Sequence, residues 1–233
     1  MRSTNPVLSK ANQYDYVSDR PLTYTNVTIK TLFLLGIAIV TAFSAIFYFP
    51  EFLATPGVLI GSMIIGFISV IVGSRSMKYA KVAGVVYAIS EGLVLGFVSA
   101  IFEFAYRGIV VAALGTTLLV FIIMLLLFTT NVIKVNQKFA SFMVVALMSV
   151  IFMSLFSILL PNIFGGQFYM IVVFISAALS AFFLLLDFQS IKTSVESGMS
   201  QEVGWILALG LMITLVWIYI EMLRILAIFA DNK

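Results

Sequence analysis

The chain contains no cysteine and no histidine. Without cysteine there are no disulfides and no thiolate metal ligands. Without histidine the commonest metal ligand, the usual general base and the usual near-neutral pH switch are missing. Intramembrane metalloproteases need histidine ligands and rhomboid-type proteases need a serine–histidine pair, so both classes are excluded. A retinal protein needs a Schiff-base lysine in its last span, and residues 204–227 hold none. No glycine-rich phosphate loop is present; Gly165-Gly166 reads as a turn. The chain is read as a non-enzyme without a cofactor. Any pH response rests on carboxylates or lysines.

Charge is scarce as well. Charged side chains make up 10% of the 233 residues, against about 25% in a soluble domain. Hydrophobic residues make up 62%, and the mean hydropathy is +1.17. A soluble fold of this size has no interior large enough for so much apolar surface. The basic excess of +3 reads as a membrane topology signal, not as nucleic-acid binding.

What the chain does have is seven apolar runs, each near the ~20 residues that cross a bilayer. They cover 31–49, 57–73, 82–102, 108–130, 139–160, 168–190 and 204–227. The expected fold is an all-α membrane protein with seven transmembrane helices (30–233) behind a polar N-terminal tail (1–29). Met1–Lys10 lacks the apolar stretch of a signal peptide. With the tail inside, the inner segments hold ten basic residues and the outer ones three, Arg107, Arg224 and Lys233. This split predicts an N-terminus inside and a C-terminus outside, in a multi-pass protein of the cell membrane whose first partner is the lipid bilayer.

Three acids lie in or beside these runs: Glu91, Asp187 and Glu221. An isolated carboxylate in hydrocarbon costs several kcal/mol unless it is neutralised, paired or hydrated. Such acids move an ion, sense a proton or lock helices together. Glu91 lies about 14 Å into span three at ~1.5 Å per residue, too deep to reach water. It reads either as a neutral acid bonded to a neighbour or as a proton or cation site. Asp187 closes the apolar run of span six near the inner mouth, as a hydrated helix-end residue or a gate acid. Glu221 and Arg224 are three apart on span seven and share a face, which predicts an intrahelical ion pair. Trp217 and Tyr219 beside them suit an outer interfacial belt. Arg75, Lys78 and Lys81 mark an inner loop, read either as a topology and lipid-headgroup signal or as a source of one cation that reaches an inner acid such as Asp187.

Small residues recur every fourth position in span three: Gly84, Ala88, Gly92, Gly96 and Ala100. They form one stripe that lets helix backbones approach closely in lipid. Ser62 and Gly66 in span two, and Ser176 and Ser180 in span six, are shorter versions. Met143, Met148 and Met153 read as core filler.

Three segments carry a resemblance: Tyr87 to Gly96 (YAISEGLVLG), Leu184 to Ile191 (LLLDFQSI) and Tyr219 to Leu226 (YIEMLRIL), with Asn5-Pro6-Val7 near the start. In this order and spacing the chain resembles the Bax inhibitor-1 family, and its bacterial members in particular, over residues 30–230. The resemblance implies six helices around a central seventh, and a pH-sensitive calcium leak. It implies an acidic dyad near the inner mouth and a basic latch. The first acid matches Asp187. The second position holds Thr214, a departure that removes one carboxyl. The latch matches Lys78, with Arg75 nearby. Glu91 is then the other deep acid available to the site.

Two functions follow as expectations. The first is a Ca²⁺ or other cation leak, with Asp187, Thr214 and Glu91 as the ion or proton site and a transient Ca²⁺ contact at Asp187. The second is a non-transporting regulator that binds a membrane protease or another membrane protein.

Overall fold

The computed structural model describes residues 20–53, 55–159 and 166–231. The sequence-predicted tail at residues 1–19, the Asn5-Pro6-Val7 segment, Gly165 and Lys233 lie outside the described residues. Among the described residues the regular structure is helical. It comprises α1 (Tyr24–Tyr48), the short α2 (Pro50–Leu53), α3 (Pro56–Arg75), α4 (Met77–Ala105), α5 (Ile109–Thr129), α6 (Gln137–Leu159), α7 (Gln167–Glu196) and α8 (Val203–Asp231). All except α2 are long and apolar enough to cross a membrane. The outward faces are apolar, with residues such as Phe43, Phe67, Val111 and Val145 more than half exposed. A surface of this kind is stable against lipid and not against water.

The helices outrun the apolar stretches because backbone hydrogen bonding continues into polar ends. α1 starts at Tyr24, inside the segment read from sequence as polar tail. Thr23 caps it: its backbone is extended and its hydroxyl accepts the Asn26 N–H at 3.1 Å. Leu22 and Val27 are buried. The Leu22 N–H donates to the Met199 carbonyl at 2.8 Å, and the Lys30 ammonium donates to the Gln201 carbonyl. The start of α1 is thereby strapped to the turn between α7 and α8. At the far end, the Glu103 carboxylate accepts the N–H groups of Gly108 (2.6 Å) and Val110 (3.1 Å). It thus satisfies free donors at the start of α5.

The small-residue stripe of α4 meets α1. A Cβ on Gly92 would stand 2.6 Å from the Ala38 carbonyl oxygen and 2.8 Å from Thr41 Cβ. On α3, Gly66 faces Ser90 and Tyr87 of α4. α8 is the most deeply buried long helix and packs against α1, α3, α4, α5 and α7. α6 runs along α7, and its Met143 and Val150 cluster also takes in Trp217 of α8.

Candidate functional site in the seam between α7 and α8

Antiparallel packing of α7 on α8 lines up two polar stripes. On α7 the stripe is Ser176, Ser180 and Asp187; on α8 it is Gly210, Thr214, Trp217 and Glu221. Each follows helical spacing along one face. Asp187 lies opposite Gly210, where a Cβ would stand 3.9 Å from Asp187 Oδ1. Ser176 lies opposite Glu221, to which it donates at 2.7 Å. Both pairs fit one register, because eleven positions separate their members on each helix.

At one end of the seam, the Thr214 side chain faces the Asp187 carboxyl. Its hydroxyl also donates back to the Gly210 carbonyl over a long 3.4 Å. Asp187 Oδ2 is buried without a hydrogen-bond partner. Two of the sequence candidates, Asp187 and Thr214, are thus brought together.

Glu91 is not brought to them. Its side-chain partner is Tyr87, one turn back on α4, and the Tyr87 ring lies beside Gly66 of α3. Neither carboxyl is the other's partner: Asp187 has Thr214 beside it and Glu91 has Tyr87. Lys78 and Arg75 are exposed. The Lys78 ammonium sits 5.4 Å from the centre of the Tyr79 ring, and neither residue forms an ion pair with Asp187 among the described residues. The cations that converge are Lys30 and Lys81, at 5.1 and 5.6 Å from the Trp205 ring centre. Their meeting depends on α1 packing beside α4 and α8, which no local motif announces.

At the other end, Glu221 is 2% exposed. Its Oε1 accepts from Ser176, from Trp217 Nε1 at 3.2 Å and from Arg224 at 3.3 Å. The pair with Arg224 is present as one part of a larger cluster. Trp217 and Tyr219 depart from the interfacial-belt expectation. The Trp217 indole N–H turns into the seam toward Ser176 and Glu221. Tyr219 is buried, with its hydroxyl 2.7 Å from Ser99. Both face inward because α8 is covered on several sides. The signal for Ser176 was its place in a small-residue stripe, which does not say that its hydroxyl meets an acid.

Among the described residues no three acidic side chains converge as a metal cage. A separate apolar groove of about 1040 Å³ opens between α1 and α5 and is floored by α4 and α8. Phe43, Leu114, Leu118 and Leu215 line it, with Glu103 and Arg107 at one end.

The model of one protein family, described as Bax inhibitor 1 like, matches residues 5–231. No curated protein matches the chain. The family match covers nearly the whole sequence, and the chain belongs to the Bax inhibitor 1 like family.

Proposed function

We propose that this member of the Bax inhibitor 1 like family is a multi-pass cation leak of the cell membrane, with Ca²⁺ as the favoured substrate and protons setting its gate. The observation that carries this reading is the Asp187 carboxyl. It lies inside a membrane span, and its Oδ2 is buried without a hydrogen-bond donor. An ionised carboxylate in that position costs several kcal/mol. A bound proton or a passing cation relieves that cost, so occupancy and protonation compete at one oxygen. Thr214 adds a neutral hydroxyl oxygen beside it. Hard oxygen donors suit Ca²⁺, and a site with one carboxylate holds the ion loosely enough for it to leave.

In this reading Glu91 is a separate acid held by Tyr87. Lys78 and Arg75 are exposed cations, with Asp187 as the acid they would latch. The test is Ca²⁺ flux into dye-loaded proteoliposomes across a pH series, for the wild type and Asp187→Asn. The expected result is a wild-type flux that changes with pH and a variant flux that does not. Equal flux from both proteins at every pH removes Asp187 from the mechanism.

A second reading, a regulator that binds a membrane protease or other membrane protein, draws on the groove between α1 and α5. Its apolar walls offer a seat for a partner's membrane span. Absence of flux in all conditions, together with crosslinking of a partner to groove residues, supports that reading over the leak.

A further inference from the structure

We propose that the groove between α1 and α5 binds an acidic phospholipid, with the phosphate on Arg107 and the acyl chains along the groove. The proposal goes beyond the ion-leak reading and does not depend on it. It assigns an occupant to a cavity that Asp187 does not line.

The groove exists because of how four helices meet. α1 and α5 each pack against α4 and α8, but among the described residues they make no contact with each other. The gap between them holds about 1040 Å³, at the top of the ~300–1,000 Å³ range of small-molecule pockets. Gly96 and Ala100 of α4 add little bulk to its floor. Its walls open toward lipid, where Phe43, Leu114 and Leu118 are more than half exposed. Along α1 it runs from Thr28 to Phe47, about 28 Å at 1.5 Å per residue. That is close to the ~30 Å thickness of the hydrocarbon layer.

The wall chemistry selects an occupant that is apolar along its length. The wall hydroxyls are already engaged inside the protein. Thr28, Thr31 and Thr117 donate to carbonyls one turn back on their own helices. Ser99 and Tyr219 share a hydrogen bond of 2.7 Å. A polar group on the occupant would go unpaired against these walls, which is costly away from water. A hydrocarbon chain makes no such demand.

The charge lies at one end. Arg107 lines the groove from the turn between two membrane-crossing helices, α4 and α5. Among the described residues it pairs with no acid. Its neighbour Glu103 is directed elsewhere: its two oxygens accept the N–H groups of Gly108 and Val110. There the positive end of the α5 dipole offsets part of its charge. Asp231, at the same end, accepts from the Tyr106 hydroxyl. The Arg107 guanidinium is therefore open to an outside anion, and its planar fork matches a phosphate. A phospholipid carries its phosphate at the membrane boundary and its chains inward, the direction in which the groove runs. A headgroup of net negative charge is favoured over a zwitterionic one, which carries its own counter-charge. A partner's membrane helix supplies the apolar length without the anion.

The experiment reconstitutes the full chain in bilayers of equal phosphatidylglycerol and phosphatidylcholine, extracts it in mild detergent and reads the retained lipids by native mass spectrometry. The variants are Arg107→Gln, Leu114→Trp, which fills the groove from its α5 wall, and Lys134→Gln. Lys134 is an exposed cation beyond the opposite end of α5 and outside the groove. The expected result is a wild type that retains phosphatidylglycerol in preference to phosphatidylcholine. Arg107→Gln should retain about fivefold less of it, the effect of one basic residue near an acidic headgroup, with Lys134→Gln at the wild-type level. Leu114→Trp should lose both lipids. Equal retention of the two lipids by the wild type, or an Arg107→Gln variant indistinguishable from wild type, overturns the proposal. So does a Leu114→Trp variant that keeps phosphatidylglycerol, since the lipid then sits elsewhere. A groove that retains only free fatty acid, or that crosslinks to a second protein's span and retains no lipid, also overturns it. If Leu114→Trp does not fold, Arg107→Gln in its exposed turn decides. Retention is read without flux, so a wild type that holds the lipid yet passes no Ca²⁺ defeats the leak reading and leaves the lipid site standing.

Discussion

Ser176 on α7 donates its hydroxyl to Glu221 on α8 at 2.7 Å, inside the protein core. Eleven positions along each helix, Asp187 lies opposite Gly210 with Thr214 beside it, so the two ends of the seam are linked by one helix register.

Ser176→Ala tests that link through stability. Loss of a hydrogen bond to a buried acid should cost about 1–2 kcal/mol, the upper part of the range for interhelical bonds in membranes. The check is thermal or denaturant unfolding in detergent, with Ser149→Ala on the exposed side of α6 as control. A wild-type midpoint for Ser176→Ala would mean that the seam does not depend on this bond.

The close approach of α1 and α4 predicts a steric effect at Gly92. The added side chain of Gly92→Val would collide with the Ala38 carbonyl and Thr41. The helices must then separate, at about 1–3 kcal/mol for overpacking. Gly115→Val on α5 meets open space and should be tolerated. Yield of monodisperse protein and melting temperature compare the two; equal behaviour would contradict the packing described.

Thr214→Asp adds a second carboxyl beside Asp187. Two adjacent carboxylates resist ionising together, so the pair would share a proton. The expected outcome is a proteoliposome Ca²⁺ flux with a larger pH response than wild type. An unchanged pH response would show that position 214 does not act on Asp187.

Outside the spans, the Tyr106 hydroxyl donates to the Asp231 carboxylate, and this bond raises the phenol above its ordinary range. A raised folded-state value means that the folded protein holds the proton more tightly. The associated stability is present below the ordinary tyrosine range near 10 and is lost as pH rises through the folded value. Asp231→Ala should therefore make one tyrosine ionise at lower pH in an ultraviolet absorbance titration. Superimposable wild-type and variant curves would rule the contact out.

Much of the site was legible only as depth. Counting residues along an apolar run places Glu91 near mid-span and Asp187 near a run's end, since rise per residue is constant. The same counting puts Glu221 near the outer end of its run but does not say which way it faces, and it is 2% exposed. The difference is direction: Glu221 points at Ser176 on α7 and not along the surface. Glu91 shows the converse. Its depth made it a candidate partner for Asp187, but its side chain goes to Tyr87 on its own helix. Lys30 and Lys81 read as topology charges until packing set both ammonium groups near Trp205.

The sequence by itself determined seven membrane helices, because runs of apolar residues must satisfy their backbone internally in lipid. It also left carboxylates or lysines, not histidines or thiols, to carry any pH response. Only the tertiary structure decided which carboxyls share a seam. A helix's sequence specifies which residues share a face, but not which neighbour that face meets. That choice came from the fit of Gly92 on Ala38 and Thr41 and of Gly73 on Leu209 and Ala83, and from the hydrogen bond of Ser176 to Glu221. These contacts join residues on different helices, and helix periodicity does not encode them.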